Sequence, residues 1–305
     1  MSKKDGFYER KKGFEGMDGV IIVEGETLIR LQKYLLNMLK DIAQVCEANH
    51  IFYTLSGGSI LGTVRHQGFI PWDDDIDLNM PRADFEKLKT VFEEQLGDRY
   101  ELVCPEKSSG HGLSVSQIKR KGTVYRSYNE LSQESPGICI DIFILENTYD
   151  NALARKLHGI LCLASGYILT CRKTFEDLPY LKKYLDQNEG LSKEFNKKAK
   201  LGRIVSWIKL DSCARFTKKV YSLCGNNNSK HVSIPSGRKH YFGEMYLRED
   251  MCQSIWMKFE DMDVRIPKGY KTYLTIMYGD TYMELPPVEK REHHPLMELD
   301  FGEDK

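Results

Sequence analysis

Between Trp72 and Pro81 the chain reads Asp73-Asp74-Asp75-Ile76-Asp77-Leu78-Asn79-Met80. Three carboxylates at i, i+2 and i+4 share one face of an extended segment. Like charges a few ångströms apart repel, so something must compensate: a cation, nearby Lys and Arg, or full exposure in a solvated acidic turn. Ile76, Leu78 and Met80 alternate with the acids as core residues would. That pattern favours a partly buried strand and a hard divalent cation held by oxygen ligands from Asp73, Asp75 and Asp77. Asp74 falls on the opposite face. No Gly or Glu stands at the offsets of a calcium EF-hand loop. A further carboxylate, Asp141, lies inside the apolar run Ile138–Leu145. Burying it alone is costly; a shared metal site or a buried salt bridge would each stabilise it. Gly57-Gly58-Ser59 sits between a short β-prone run and an apolar helical stretch, where a backbone can approach a phosphate and offer free N–H groups. It lacks the Gly-Lys-Ser/Thr ending of a Walker A loop and is not a dinucleotide fingerprint.

The elements that must position these groups follow from periodicity. Leu28, Leu31, Leu35, Leu39, Ile42 and Cys46 recur at three- and four-residue steps and predict an amphipathic helix from Glu26 to about Asn49. Ile51–Leu55 reads as a strand, the segment after Gly58 as a helix, and 73–80 as the acidic strand, which Pro81 ends. Arg82–Leu96 reads as a helix, Tyr100–Cys104 and Ser116–Tyr125 as strands, and Ile138–Leu145 as the most strand-like run in the chain. Residues 150–225 read as helical, and bases outnumber acids between Arg172 and Lys219. The expected organisation is an extension at 1–25, a catalytic core at 26–149, and a mostly helical, loop-rich part at 150–305 that packs on the core and completes the site.

Composition sets the limits. The 305 residues suffice for one large or two smaller domains, and 41% apolar with 29% charged residues is ordinary for a globular chain. A formal net charge of +0 argues against bulk capture of nucleic acid. Residues 1–12 are polar and Lys-rich, unlike a signal peptide. The longest apolar candidate, Gly159–Cys171, is too short to span a bilayer and is expected to be a buried helix. The 8 cysteines show no Cys-x-x-Cys pair or zinc spacing, so reduced thiols and a cytoplasmic location are expected. The basic stretch 172–219 is a solvated helical face or a contact for an anionic membrane surface.

The block GGSILGTVRHQGFIPWDDDIDLNMPR at 57–82 is more specific than its parts, and it resembles the signature of the LicD family. That family includes bacterial phosphorylcholine transferases and has the fukutin-related proteins as relatives. Gly137–Phe143 around Asp141 resembles its second block; Tyr278-Gly279-Asp280, Leu285-Pro286-Pro287 and His293-His294 resemble its closing motif. The resemblance implies an α+β, nucleotidyltransferase-like fold: a mixed β-sheet flanked by helices. It implies transfer of a phospho-alcohol group from a CDP-linked donor, releasing CMP. The acceptor would be a sugar hydroxyl of a teichoic acid, polysaccharide or lipid-linked glycan precursor. CDP-ribitol, CDP-glycerol or a CMP-phosphonate would be alternative donors, and nucleotide transfer from an NTP the alternative reaction. Phosphoryl transfer needs charge neutralisation and in-line positioning. Mg²⁺, or Mn²⁺ in its place, would sit on Asp73, Asp75, Asp77 and Asp141, with Asp75, Asp77 and Asp141 catalytic. Gly57, Gly58, Ser59, Arg65, His66, Lys119, Lys121 and His294 would bind the donor. Trp72 and Tyr125 would serve in packing or in stacking on a base. No nucleic-acid partner is implied; a peripheral contact at the inner face of a membrane is.

Overall fold

The computed structural model describes residues 11–133 and 135–302; residues 1–10 of the expected N-terminal extension lie outside the described residues. Helix α1 (Gly25–Ala48) is followed by β1 (Thr54–Leu55), α2 (Gly57–His66), β2 (Asp77–Pro81), α3 (Arg82–Leu96), β3 (Tyr100–Val103), β4 (Ser116–Arg120), β5 (Val124–Ser127) and β6 (Cys139–Asn147). The main sheet runs β1-β2-β6-β4-β3. Only β2 and β6 are parallel in it; β1 on β2, β4 on β6 and β3 on β4 are antiparallel. The parallel pair sets Asp77 opposite Asp141, and the antiparallel pair sets Gln117 opposite Asp141.

Period-two alternation then divides the sheet. Leu78, Met80, Ile118, Ile140, Ile142 and Ile144 point into one core cluster with Leu35 and Leu39 of α1 and with Phe85 and Leu88 of α3. Asp77, Gln117, Asp141 and Phe143 point the other way and line a cavity of about 1390 Å³. The mixed sheet flanked by helices agrees with the fold expected from the sequence.

The C-terminal part begins with three helices, α4 (Ala152–Leu185), α5 (Glu189–Ile204) and α6 (Leu210–Tyr221). It then supplies more strand than its loop-rich appearance suggested. β7 (His231–Ser233) extends the main sheet from β6 and pairs with β8 (Met245–Leu247). β9 (Ser254–Phe259) and β10 (Met262–Pro267) form a hairpin, and β11 (Leu296–Asp300) returns to pair with β5. Short helices α7 (His240–Gly243) and α8 (Arg248–Met251) flank β8, and α9 (Tyr270–Tyr278) follows β10.

Three expectations need correction. The segment expected as one strand at 116–125 is two, because Gly122 turns the chain with φ +76. The acidic strand starts only at Asp77: Asp73 N donates to Ile70 O at 2.9 Å in a turn, and residues 73–76 lie outside the strand, joined to β6 where Ile76 O accepts from Asp141 N at 3.3 Å. Gly159–Cys171 lies within α4 but is buried on one side only; Ile160, Leu161, Leu163, Tyr167 and Ile168 are exposed.

Candidate active site

The carboxylates collect where the start of β2, the middle of β6 and the N-terminus of α2 meet. Gly57 opens α2 with φ +49, a conformation that glycine adopts without strain. A methyl group on Gly57 would stand 3.0 Å from Asp77 Oδ2, and one on Gly58 only 2.7 Å from Asp73 Oδ2. The two glycines therefore let the helix N-terminus lie directly against two acids, where its dipole and free N–H groups favour negative charge. Ser59 acts on the backbone: its Oγ accepts from Asp77 N at 3.0 Å, which fixes the start of β2. The C-terminal part completes this corner. Tyr273 of α9 meets Ser56 Oγ at 3.2 Å, and its hydroxyl oxygen accepts from Gly57 N at 3.0 Å.

The acids of this corner shift one another. Burial, then the charge of Asp75, pushes the carboxyl of Asp73 well above its ordinary range. Burial followed by Asp75 and Asp141 does the same to Asp77. Burial raises Asp141 to about 6 although Gln117 Nε2 donates to its Oδ1 at 2.9 Å. Gln117 Oε1 is buried without a hydrogen-bond partner. Carboxylates that raise one another, beside an orphaned amide oxygen, form an oxygen-rich set suited to a hard cation.

Asp74, which strand alternation turned away from the other acids, joins them through His294. It is buried and accepts from Tyr125 OH at 3.2 Å. His294 Nδ1 bonds to Asp74 Oδ1, and His294 Nε2 stands 3.4 Å from Asp75 Oδ2. Burial alone would discharge both members of this pair. The acids beside His294 outweigh it and raise the imidazole to about 9, while His294 and Tyr125 hold Asp74 below its ordinary value. Among the described residues, Asp73, Asp74, Asp75 and His294 can bring one ligand atom each within 4.8 Å of one another. Asp74 already satisfies its two oxygens with Tyr125 and His294, so the carboxylates left for an ion are Asp73, Asp75 and Asp77, with Asp141 across the strand pair.

The other residues named from the sequence divide. Arg65 lines the cavity, but its Nη1 donates to Tyr282 O at 2.9 Å and Glu284 O at 3.0 Å, so it also holds the C-terminal loop. His66 does not line the cavity; its Nε2 accepts from Arg65 Nε at 3.0 Å, and burial together with Arg65 lowers its basicity. Lys119 shares the carboxylate face of β4 yet is 2% exposed, with Nζ 2.9 Å from Glu130 Oε1 and 2.7 Å from Gln133 Oε1. Lys121, past the end of β4, donates to Gly97 O behind α3, away from the cavity. The ring of Trp72 is covered by the Arg291 guanidinium, 4.2 Å from its centroid. Lys11 and Gln117 line the same cavity and escaped the sequence reading. For Gln117, the strand register opposite Asp141 is the signal that finds it.

The site is thus a mixed sheet carrying paired acids on its open face, under a Gly-Gly-Ser helix start. Residues 50–156 match the family described as LicD/FKTN/FKRP, nucleotidyltransferase domain. The chain is 27% identical over 292 residues to the lipopolysaccharide cholinephosphotransferase LicD of Haemophilus influenzae, covering 89% of this chain and 97% of that one. Shorter matches reach an uncharacterized protein of Rickettsia typhi (36% over 81 residues, 24% of this chain and 26% of that one) and one of Rickettsia prowazekii (40% over 65 residues, 21% and 24%). The chain is thus similar to LicD-family transferases, in residues 50–156 by the family match and along most of its length by the Haemophilus relative.

Proposed function

We propose that this chain transfers a phospho-alcohol group, phosphocholine in the first instance, from a CDP-activated donor to a hydroxyl of a cell-surface glycan precursor, releasing CMP. The observation that carries the proposal is the convergence of Asp73, Asp75, Asp77 and Asp141 on the open face of the sheet, beneath the N-terminus of α2. The match to a lipopolysaccharide cholinephosphotransferase along nearly its whole length supports the head group and the glycan class.

These four carboxylates would hold Mg²⁺, or Mn²⁺ in its place; when bound, the ion would neutralise donor phosphate charge. The chain's own groups do the rest. Gly57 and Gly58, which carry no side chain, let the donor phosphates approach the free N–H groups in the first turn of α2. His294, tied to Asp74, orients Asp75. Asp141, with Oδ1 fixed by Gln117, completes the metal site or, in the alternative, takes the proton of the acceptor hydroxyl.

Incubating the full chain with CDP-choline, CDP-ribitol, CDP-glycerol and a CMP-phosphonate, with and without Mg²⁺ and acceptor glycan, tests this. Mg²⁺-dependent CMP release with one preferred donor is expected. A second reading, transfer of a nucleotide from an NTP, has the description of the matched domain in its favour. Pyrophosphate release from an NTP, with no CMP release from any CDP-linked donor, would replace the first reading by the second.

A further inference from the structure

Helix α4 is apolar on both sides. Its inner side, His158, Cys162, Ser165 and Leu169, packs against α6. Its outer side carries Leu153, Leu157, Ile160, Leu161, Ala164 and Ile168, spaced at three and four residues and all exposed. No charged residue lies between Lys156 and Arg172. From Leu157 to Ile168 the face is therefore an apolar stripe with no charged residue in that stretch, about 17 Å long at 1.5 Å per residue. Its neighbours also carry exposed apolar residues. Thr217 of α6 donates to Ser165 O at 3.2 Å, which sets the exposed Phe216 level with the middle of the stripe. Arg172 Nε donates to Ile208 O at 3.0 Å, which sets the α5–α6 linker, with Trp207 81% exposed and Ile204 69%, near the stripe's C-terminal end. Single exposed apolar residues need no explanation, but six on one side of a helix, with more exposed on α6 and the α5–α6 linker beside it, do.

Charge names the occupant. Between Glu194 and Glu244 the chain holds one acidic residue, Asp211, and that one accepts from Ser109 Oγ and Gly110 N. Lys200, Arg203, Lys209, Arg215 and Lys219 are exposed in the same stretch. A second copy of the chain would bring the same basic segment to the contact, whereas an anionic bilayer suits both an apolar helix face and a neighbouring basic segment. The stripe is also joined to the site: Leu163 and Tyr167, exposed on α4, line the cavity that contains the carboxylates. Among the described residues no helix is long and apolar enough to cross a membrane, so contact would be in the plane of the surface. We propose that the outer face of α4, with Trp207 and Phe216, docks this protein onto an anionic lipid bilayer and opens the cavity toward it. The inference concerns membrane contact and does not depend on the reaction proposed above.

The test is sedimentation of the full chain with vesicles of phosphatidylcholine alone or mixed roughly seven to three with phosphatidylglycerol, supported by Trp fluorescence. Binding to the anionic vesicles at least about tenfold tighter than to the neutral ones is expected. The double variant Leu157→Glu/Leu161→Glu should lose at least about tenfold of that binding with its circular dichroism and melting temperature kept, since both side chains are exposed. Brominated lipid should quench fluorescence in the wild type, and much less in Trp207→Phe. Absence of vesicle binding, equal binding to both vesicle types, or binding unchanged by the double variant would overturn the proposal. So would a dimer that the double variant dissolves while neither form binds vesicles, because that would assign the face to a second copy.

Discussion

The sheet core and the α4–α6 layer handle apolar residues in opposite ways. In the core, Ile140 and Ile142 point into a closed cluster and are 0% exposed, while the residues that alternate with them, Cys139, Asp141 and Phe143, face the cavity side. In α4, apolar residues point both inward and outward, and the outward ones have no partner in the chain's own core clusters. The core is complete within the chain and spends its polar face on chemistry. The helical layer is built to meet something outside it.

Substitutions that separate the two regions sharpen this contrast. The largest effect belongs to the carboxylates. Asp77→Asn should lower CMP release by about 100- to 1,000-fold, as loss of a group that acts on transition-state charge does. Its melting temperature should hold or rise, because one of several mutually repelling acids is gone. A variant that unfolded instead would make Asp77 a structural residue. Next is packing: Ile142→Ala should cost about 2–5 kcal/mol in denaturant unfolding, while Leu161→Ala on the outer stripe should stay within about 0.5 kcal/mol. Similar costs at both positions would show that the stripe is covered by the chain itself.

Glu244 gives a pH-dependent effect at the border of the two regions. It is buried, accepts from Lys239 N at 2.7 Å, and burial raises its carboxyl to about 7. A carboxyl raised in the folded state holds its proton more tightly there than in the unfolded chain. Its contribution is fully present below the unfolded value near 4.5 and is lost as pH rises toward 7. Glu244→Gln should therefore gain up to about 3 kcal/mol over the wild type at pH 8, and almost nothing below pH 4.5, in urea titrations at each pH. The smallest effect is expected of Tyr273→Phe, which removes the contact to Ser56 and Gly57 N. It should cost about 1 kcal/mol of stability and raise the KM for donor more than it lowers kcat.

Most of the core was legible because one pattern, acids alternating with core residues before Pro81, fixes both strand and face. What the sequence could not carry is pairing at a distance. Lys119 sits on the correct face, yet the chain near residues 130–133 brings Glu130 and Gln133 to consume its charge. Asp74 alternates away from the other acids, and only the return of His294, some 220 residues on, joins it to Asp75. Helical periodicity shows which residues of α4 share a side but not whether anything covers that side, so a buried helix was expected where a half-exposed one stands.

The central claim, that the acids facing the cavity hold a divalent cation for phosphoryl transfer, is tested most directly by titrating Mn²⁺ into the full chain with CDP-choline present. Electron paramagnetic resonance follows the free ion in the wild type and in Asp75→Asn and Asp77→Asn. Saturable loss of the free Mn²⁺ signal in the wild type, weakened in both variants, is the expected result. No binding in the wild type, or equal binding in all three, would contradict the account.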